Sequence, residues 1–374
     1  MPLCDPRARI VRAPLRSVRA DRPGPFAIRA RDACIAERRG LVYPTPTTLY
    51  GCFDMQGLVT IFGGSGFIGA QTVRALAKQG YRIRVAVRQP GRGYRLRMLG
   101  DVGQIEVVQA NLRDPESVKR ALVGAQACVN LVGILRESGR QGFESLHETG
   151  AATVAQAAKA AGVVTFVQMS ALGADAGGES QYARTKAAGE DAVRAAFPKA
   201  VIVRPSVVFG PEDKLFNKFA QMAVLAPVLP LPGADTRMQP VFVGDVAAAI
   251  AKAVGDPALA GSTLELGGPA VMTLREIVEM TTREIGRNRP IVALPWGLAR
   301  LMGAAGDVAG VLIDPPITTD QVRMLKSDNV AGVNGAPGLS SLGVTATPVE
   351  AVVPSYLYRY RKGGQYAETP VGAV

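Results

Sequence analysis

Tyr182 and Lys186 lie four residues apart in the segment SQYARTKAAGE, residues 180–190, so in a helix both side chains occupy one face. An ammonium group beside a phenol favours the phenolate and lowers the pKa of the tyrosine from its ordinary value of roughly 10. Ser170 ends a predicted strand, FVQMS, twelve residues before Tyr182. These three residues suit hydride transfer: Ser170 orients the substrate oxygen, Tyr182 is acid and base, and Lys186 binds the nicotinamide ribose.

The sequence GGSGFIG follows a predicted strand and opens a predicted helix. It places Gly63, Gly66 and Gly69 at the spacing of a dinucleotide-binding turn. The first glycine permits the tight turn, the second lets the backbone approach a pyrophosphate, and the third allows close packing of helix and strand. The start of the helix then offers free N–H groups and a positive dipole end to the phosphates. We therefore predict that this segment binds a dinucleotide.

The second predicted strand ends in RVAVRQPGR, where Arg88 takes the place of the acid that binds the ribose 2′-hydroxyl in NAD-binding proteins. A guanidinium group suits a 2′-phosphate, so we predict NADP(H), with NAD(H) as the alternative. Asn111 follows the third strand, where the adenine would lie, and is a candidate contact. Asn111 and Asp114 are equally typical of a turn and a helix cap.

Strands and helices alternate from residue 58 onward, and most of the strands are apolar. This pattern predicts an α/β fold, a doubly wound parallel sheet of the Rossmann type, with a smaller C-terminal α/β cap region. We assign residues 55–212 to the nucleotide-binding domain and 213–374 to a smaller substrate or partner region that interleaves with the last strands of the sheet. One helix is predicted over 143–161, and His147 within it is interpreted as an ordinary helix residue.

Residues 1–54 differ from the rest of the chain, because they contain ten arginines, no lysine and five acids. Three interpretations compete: translation that truly starts at Met55, an arginine-rich transit peptide, and a disordered tail. The five acids and the single serine weaken the transit-peptide interpretation. This segment supplies +5 of the formal net charge of +12.

Composition excludes several classes of protein. No nucleic-acid-binding motif accompanies the positive charge, so we expect no nucleic-acid partner. The four cysteines form no CxxC pair and His147 is the only histidine, so no metal site is expected. The segment 296–313 is the most apolar, but it contains Arg300, Asp307 and four glycines. It predicts a buried or interfacial helix, not a transmembrane span.

With these motifs, the chain resembles the extended or atypical short-chain dehydrogenase/reductases from about Met55 to Gly364. That resemblance implies that Tyr182 and Lys186 lie at the nicotinamide and that Pro205, Ser206 and Val207 lie along its carboxamide. It also implies a set of phosphate and ribose contacts: Gly63, Ser65, Gly66, Phe67, Ile68 and Gly69.

One branch of that superfamily is more similar: the NAD(P)H-binding accessory subunits of respiratory complex I and their bacterial relatives. The similarity rests on YARTKAAGEDAVRAAFPKAVIVRPSVVFGPEDKLFNKFA, on MQPVFVGDVAAAI, and near the end on DQVRMLKSDNV and VPSYLYRYRKGGQY. In the mitochondrial subunit the bound nucleotide is regarded as structural.

Two functions follow from the resemblance. The first is a nucleotide-binding protein of complex I assembly or stability, in which the nucleotide is mainly structural. The alternative is an NADPH-dependent reductase, epimerase or dehydratase, so turnover is left open. Residues 213–240 are largely apolar and suit a quinone, a lipid tail or a partner surface. We expect a cytoplasmic protein, peripheral on the inner membrane of a bacterium, with the mitochondrial matrix as the alternative.

Overall fold

A computed structural model describes residues 56–366, except Ser138, Arg140, 310–316 and 333–334. The predictions for residues 1–54 therefore lie outside the described residues, and the domain boundary at 212 stays a prediction. None of the helices in the described part of the chain has both the length and the apolar character that a bilayer crossing requires.

A seven-stranded parallel sheet forms the centre of the fold, in the order β11-β6-β5-β4-β1-β2-β3. Its strands are β1 (Gln56–Phe62), β2 (Tyr81–Val87), β3 (Ile105–Gln109), β4 (Ala127–Asn130), β5 (Thr165–Met169), β6 (Val201–Pro205) and β11 (Thr263–Leu266). Six further strands are short: β7 (Val208–Phe209), β8 (Leu229–Pro232), β9 (Arg237–Met238), β10 (Val241–Phe242), β12 (Met272–Thr273) and β13 (Ile291–Leu294). The strand order reverses between β1 and β4, which is where doubly wound sheets bind their ligands.

Helices cover both faces of the sheet. They are α1 (Phe67–Lys78), α2 (Pro115–Leu122), α3 (Thr149–Ala160), α4 (Gln181–Ala196), α5 (Phe216–Leu225), α6 (Val243–Gly255), α7 (Leu274–Glu284), α8 (Trp296–Ala309), α9 (Thr319–Met324), α10 (Val349–Val352) and α11 (Pro354–Leu357). α1 packs on α6 over one face, while α2, α3 and α4 pack in sequence over the other. Each face has its own apolar core, one around Ile61 and Ile250 and one around Phe62 and Phe166. The predicted doubly wound α/β fold is thus confirmed.

The local reasons for these elements are visible in the strands and the caps. All four residues of β4 are buried, as expected for a strand covered on both faces. Asp114 accepts hydrogen bonds from the N–H groups of Glu116 and Ser117 and caps α2. The helix predicted over 143–161 is present from residue 143 to 160, but its first turns differ. A π-turn over Glu144–Glu148 precedes α3, and His147 is buried within it.

The C-terminal region has a third core, formed largely by α5, α7 and the last helices. Phe216, Leu229 and Leu231 are fully buried there, so much of the apolar content of 213–240 packs this region. The phenol of Tyr356 donates to the buried carboxylate of Asp213 at 2.5 Å and ties α11 to the start of α5. The apolar ligand expected from this segment stays a prediction.

Candidate functional site

The glycine turn after β1 leaves no room for side chains at two of its positions. Gly63 has a φ of +79°, a conformation that favours glycine. A Cβ on Gly69 would lie 2.4 Å from the carbonyl oxygen of Gly63, so helix and turn cross in close contact. α1 begins at Phe67 without an acid in its first turn. The free N–H groups and the dipole of α1 therefore point to an anion at this end of the sheet.

Arg88 is exposed and immediately follows β2, the strand next to β1. The N–H of Gly63 donates to the carbonyl of Ala86 at 3.4 Å, which places the end of β2 beside the glycine turn. Arg88 is therefore on the correct strand end for a ribose phosphate. Asn111 forms a local turn, since its Oδ1 accepts from the N–H of Arg113 at 3.2 Å. The helix-cap alternative for Asp114 is what the structure shows, and the adenine contact of Asn111 stays a prediction.

Lys186, on the same helix as Tyr182, reaches the carboxyl end of β5 directly before Ser170. Tyr182 and Lys186 lie on the buried face of α4, with 9% and 6% of their surface exposed. The Nζ of Lys186 donates to the carbonyl of Met169, the last residue of β5, at 3.2 Å. Within the described residues, the buried Oγ of Ser170 has no hydrogen-bond partner. A ligand atom at this edge would satisfy that hydroxyl.

Burial governs the protonation of the site. Removal from water raises the pKa of Tyr182 to about 12. It lowers the pKa of Lys186 to about 8, against the opposing effect of the Glu190 carboxylate. The expectation that Lys186 lowers the pKa of Tyr182 is wrong. The Lys186 Nζ lies 5.9 Å from the centre of the Tyr182 ring, and desolvation of the phenol dominates.

His147 belongs to the site and is not an ordinary helix residue. Its ring packs edge-on against Tyr182 at 5.4 Å between centres, and Phe143 packs beside both rings. The N–H of Ile134 donates to His147 Nε2 at 3.0 Å, so the Nδ1–H faces the Thr185 hydroxyl at 3.2 Å. Burial, with the Lys186 charge second, lowers the pKa of His147 to about 3. The ring therefore stays neutral and connects the loop after β4 to α4.

Asn329, from the C-terminal region, binds the segment that follows β6. Val207 donates its N–H to Asn329 Oδ1 at 3.2 Å, and Ser206 donates its hydroxyl to the same oxygen at 2.6 Å. The carbonyl of Pro205 accepts from the N–H of Leu172 at 3.0 Å. The carboxamide contacts expected of Pro205 and Val207 stay predictions. Both backbone groups of Val207 have protein partners, because its N–H donates to Asn329 and its C=O accepts from the N–H of Val241 at 3.0 Å.

Asp320 holds the start of α4 from the first turn of α9. Its carboxylate accepts from the Ser180 hydroxyl at 2.8 Å and from the N–H groups of Gln181 and Tyr182 at 2.7 and 3.1 Å. A carboxylate at a helix N-terminus satisfies unpaired N–H groups and opposes the dipole. Lys326 adds an ion pair to Glu179 just before α4.

Three residues were missed when the sequence was read for chemistry: His147, Asp320 and Asn329. His147 gave no signal, because its helical period resembles that of a core residue. Asp320 and Asn329 stand inside DQVRMLKSDNV, a segment that carried the family resemblance without any assigned role. That segment therefore carried a signal, but the sequence did not show that Asp320 contacts Tyr182, 138 residues before it.

The seven-stranded parallel sheet, the glycine turn and the buried residues at one strand edge define a Rossmann-type nucleotide-binding protein. The model of the NAD dependent epimerase/dehydratase family matches residues 59–267. The chain belongs to this family, and the predicted relation to the extended short-chain dehydrogenase/reductases is confirmed.

Two curated relatives are similar in sequence, and one solved structure is similar in fold. The chain is 34% identical over 325 residues to the mitochondrial NADH dehydrogenase (ubiquinone) 1 alpha subcomplex subunit 9 of Arabidopsis thaliana, covering 84% of this chain and 81% of the relative. It is 35% identical over 263 residues to a ceramide reductase of Caulobacter vibrioides, covering 70% of this chain and 81% of the relative. An NADPH-dependent quinone oxidoreductase of Escherichia coli, crystallised with NADPH, shares the fold with a TM-score of 0.64 at 22% identity, covering 80% and 99% of the two chains.

Asp320→Ala tests the clamp on α4. We expect the amide hydrogens of Gln181 and Tyr182 to exchange faster and the free energy of unfolding to fall by about 0.5–2 kcal/mol, as for the loss of a helix cap. Hydrogen exchange with mass spectrometry and urea titration measure the two effects. Asp101→Ala, at an exposed position, is the control. Unchanged exchange at the start of α4 would show that Ser180 caps the helix alone.

Proposed function

We propose that this chain is a nicotinamide-nucleotide-binding protein of respiratory complex I assembly or stability, in which the nucleotide serves mainly as a structural ligand. The observation that carries the proposal is the match to a mitochondrial subunit of NADH dehydrogenase over 84% of the chain. That match runs far beyond the glycine turn. The proposal places the protein at a respiratory membrane, on the inner membrane of a bacterium or, as the alternative, in the mitochondrial matrix.

The site fits such a nucleotide. The glycine turn and the start of α1 would hold the pyrophosphate, with Gly63, Gly66 and Gly69 giving the backbone its close approach. Arg88 would hold a 2′-phosphate, which favours NADP(H) over NAD(H). Lys186 would donate to the ribose hydroxyls at the nicotinamide end. The nicotinamide supplies hydride chemistry when bound, and in the structural role this capacity is not used.

The surroundings of Tyr182 favour the structural role. The phenol is enclosed by Phe143 and His147, and burial keeps its pKa at about 12. His147 stays neutral and uses both ring nitrogens within the protein. At neutral pH Tyr182 therefore stays a protonated phenol and is a poor base.

A reductase is the second candidate, and one observation favours it. The buried hydroxyl of Ser170 has no partner among the described residues and lies with Tyr182 and Lys186 at the strand edge. A substrate carbonyl could accept its hydrogen bond, with Tyr182 as the proton donor. The similarity to a ceramide reductase makes a lipid or another apolar carbonyl compound the substrate class to test.

One prediction concerns the preference of the protein for a nucleotide with a 2′-phosphate. The protein should bind NADP(H) more tightly than NAD(H), and Arg88→Asp should reverse the preference, because it replaces a cation by the acid that binds a ribose hydroxyl. Isothermal titration with both nucleotides measures the ratio. Arg120→Asp, on the exposed surface of α2, is the matched control. If Arg88→Asp leaves the ratio of the NADP(H) and NAD(H) affinities unchanged, Arg88 is a surface residue that does not contact the nucleotide.

The second prediction concerns pH. Burial lowers the pKa of Lys186 to about 8, so the free protein loses this charge as the pH rises through that value. Affinity for the nucleotide should be nearly level between about pH 7 and 7.5 and weaken by roughly tenfold to thirtyfold by about pH 9.5, because binding then requires uptake of a proton. Lys186→Met should bind more weakly and show a flat profile over this range. If the wild-type affinity is as independent of pH as that of the variant, Lys186 does not contribute to nucleotide binding.

The third prediction separates the two functions. In cells, Lys186→Ala or Gly66→Asp should lower the level of assembled complex I, because the nucleotide and the stability it gives the fold are lost. Tyr182→Phe removes only a proton donor and should leave that level near normal. Blue-native separation of membranes, blotted for this chain and for complex I, measures both. If Tyr182→Phe keeps its nucleotide but abolishes the cellular phenotype, the protein is a reductase.

A further inference from the structure

The solvent-facing side of α8 is apolar. Leu298, Leu301, Ala305 and Val308 follow at intervals of three or four residues and are exposed, with 52% of Leu298, 67% of Leu301 and 77% of Val308 accessible. The opposite side carries the small buried residues Ala299, Gly303 and Gly306. A helix of a globular protein normally shows the reverse pattern, with large apolar residues inward. The outer face of α8 is therefore built to be covered by something other than water.

Further apolar side chains are exposed in the elements that precede α8 along the chain. Trp296 opens the helix with 40% of its surface exposed, and Val292 in the preceding strand is half exposed. That strand, β13, pairs with β8, so Val292 lies opposite Pro230. Leu225 and Val228, just before β8, are exposed as well. These residues and the outer side of α8 together are called the apolar face.

A basic cleft of about 480 Å³ borders the apolar face where α7 ends and β13 begins. Arg275, Arg283 and Arg289 line the cleft with one acid, Glu279, while Thr282 and Asn288 add polar groups. Arg275 and Arg283 form no ion pair within the described residues. The Nε of Arg289 donates to the carbonyl of Ala223 at 2.9 Å, which fixes this guanidinium beside the end of α5.

The positive charge of the cleft and the apolar face together indicate one kind of ligand. Arginines arranged around a cleft suit a phosphate group, which they bind through several N–H groups at once. A phosphate next to an apolar surface is the combination that an anionic phospholipid presents at the surface of a bilayer. A protein partner would explain the apolar side chains but not the excess of cations in the cleft. An isolated phosphate ester would explain the cations but not the apolar face.

We propose that this surface docks the protein on anionic phospholipid membranes, with lipid phosphates in the basic cleft and the side chains of α8 among the upper acyl chains. α8 lies in the plane of the interface, as an amphipathic helix does. The proposal does not depend on the role in complex I, because it concerns the purified chain and lipid alone.

Trp296 is the only tryptophan of the chain, so the wild-type protein reports on its own docking. With vesicles of phosphatidylcholine and phosphatidylglycerol, we expect its fluorescence to shift to shorter wavelength and to be quenched by brominated acyl chains. Vesicles of phosphatidylcholine alone should give little of either effect. An unshifted and unquenched Trp296 on vesicles of both compositions would overturn the proposal without any variant.

Variants test the two parts of the surface in a flotation assay. Leu298→Asp with Leu301→Asp should abolish quenching of Trp296, and Arg275→Glu with Arg283→Glu should reduce partition into anionic vesicles about tenfold or more. The matched controls are Met98→Asp, at an 82% exposed position, and Arg120→Glu on α2. All proteins keep residues 1–54, so the charge of that segment is common to them. Equal losses in the controls would overturn the proposal.

Two further outcomes would contradict it. If inorganic phosphate at low concentration fills the cleft while lipid leaves Trp296 unchanged, the cleft belongs to a soluble phosphate compound. If purified complex I protects α8 in hydrogen exchange and vesicles do not, the apolar face is a protein interface. Circular dichroism and nucleotide titration confirm in each variant that the fold is retained.

Discussion

A buried ammonium group, that of Lys186, constrains the whole carboxyl edge of the sheet. Removing such an ion from water costs several kcal/mol unless neighbouring groups compensate. The structure provides the carbonyl of Met169 and, one turn along α4, the carboxylate of Glu190. Glu190 also accepts two hydrogen bonds from Arg204, at 2.8 and 2.7 Å, and Arg204 reaches Glu265 on β11 at 3.8 Å. A single buried cation thus orders charges across α4, β6 and β11.

The same burial limits what the neighbouring groups can do. His147 cannot gain a proton beside Lys186, so it serves as a neutral hydrogen-bonding link between the loop after β4 and α4. Tyr182 remains a phenol because its own desolvation outweighs a cation 5.9 Å from its ring. Among the described residues the hydroxyl of Ser170 has no partner, so it can meet a ligand together with the start of α1 and the proposed contacts of Arg88 and Lys186. An arrangement of this kind holds a polar ligand, while neither Tyr182 nor His147 titrates at neutral pH.

Local patterns predicted most of the sheet and the glycine turn, because strand burial, glycine spacing and helix caps depend on neighbouring residues. The position of Arg88 at a strand end followed from the same reasoning. Contacts between distant segments were not predictable: Asp320 on the start of α4 and Asn329 on Ser206 join residues more than 120 positions apart. The pKa of Tyr182 was wrong in direction because spacing shows a nearby charge but not the loss of water around a side chain. The contact of His147 with Thr185 was not predictable for the same reason, because it joins residues 38 positions apart.

The C-terminal region connects the outer surface to the site through a short path. A Cβ on Gly303 would lie 2.9 Å from the backbone of Thr319, so α8 and the start of α9 touch without intervening side chains. Asp307 of α8 also accepts from the N–H of Thr319 at 3.3 Å. The next residue, Asp320, holds the first turn of α4 and hence Tyr182. A chain of direct contacts, from Gly303 through Thr319 and Asp320 to the N–H of Tyr182, therefore joins α8 to the helix that carries Lys186.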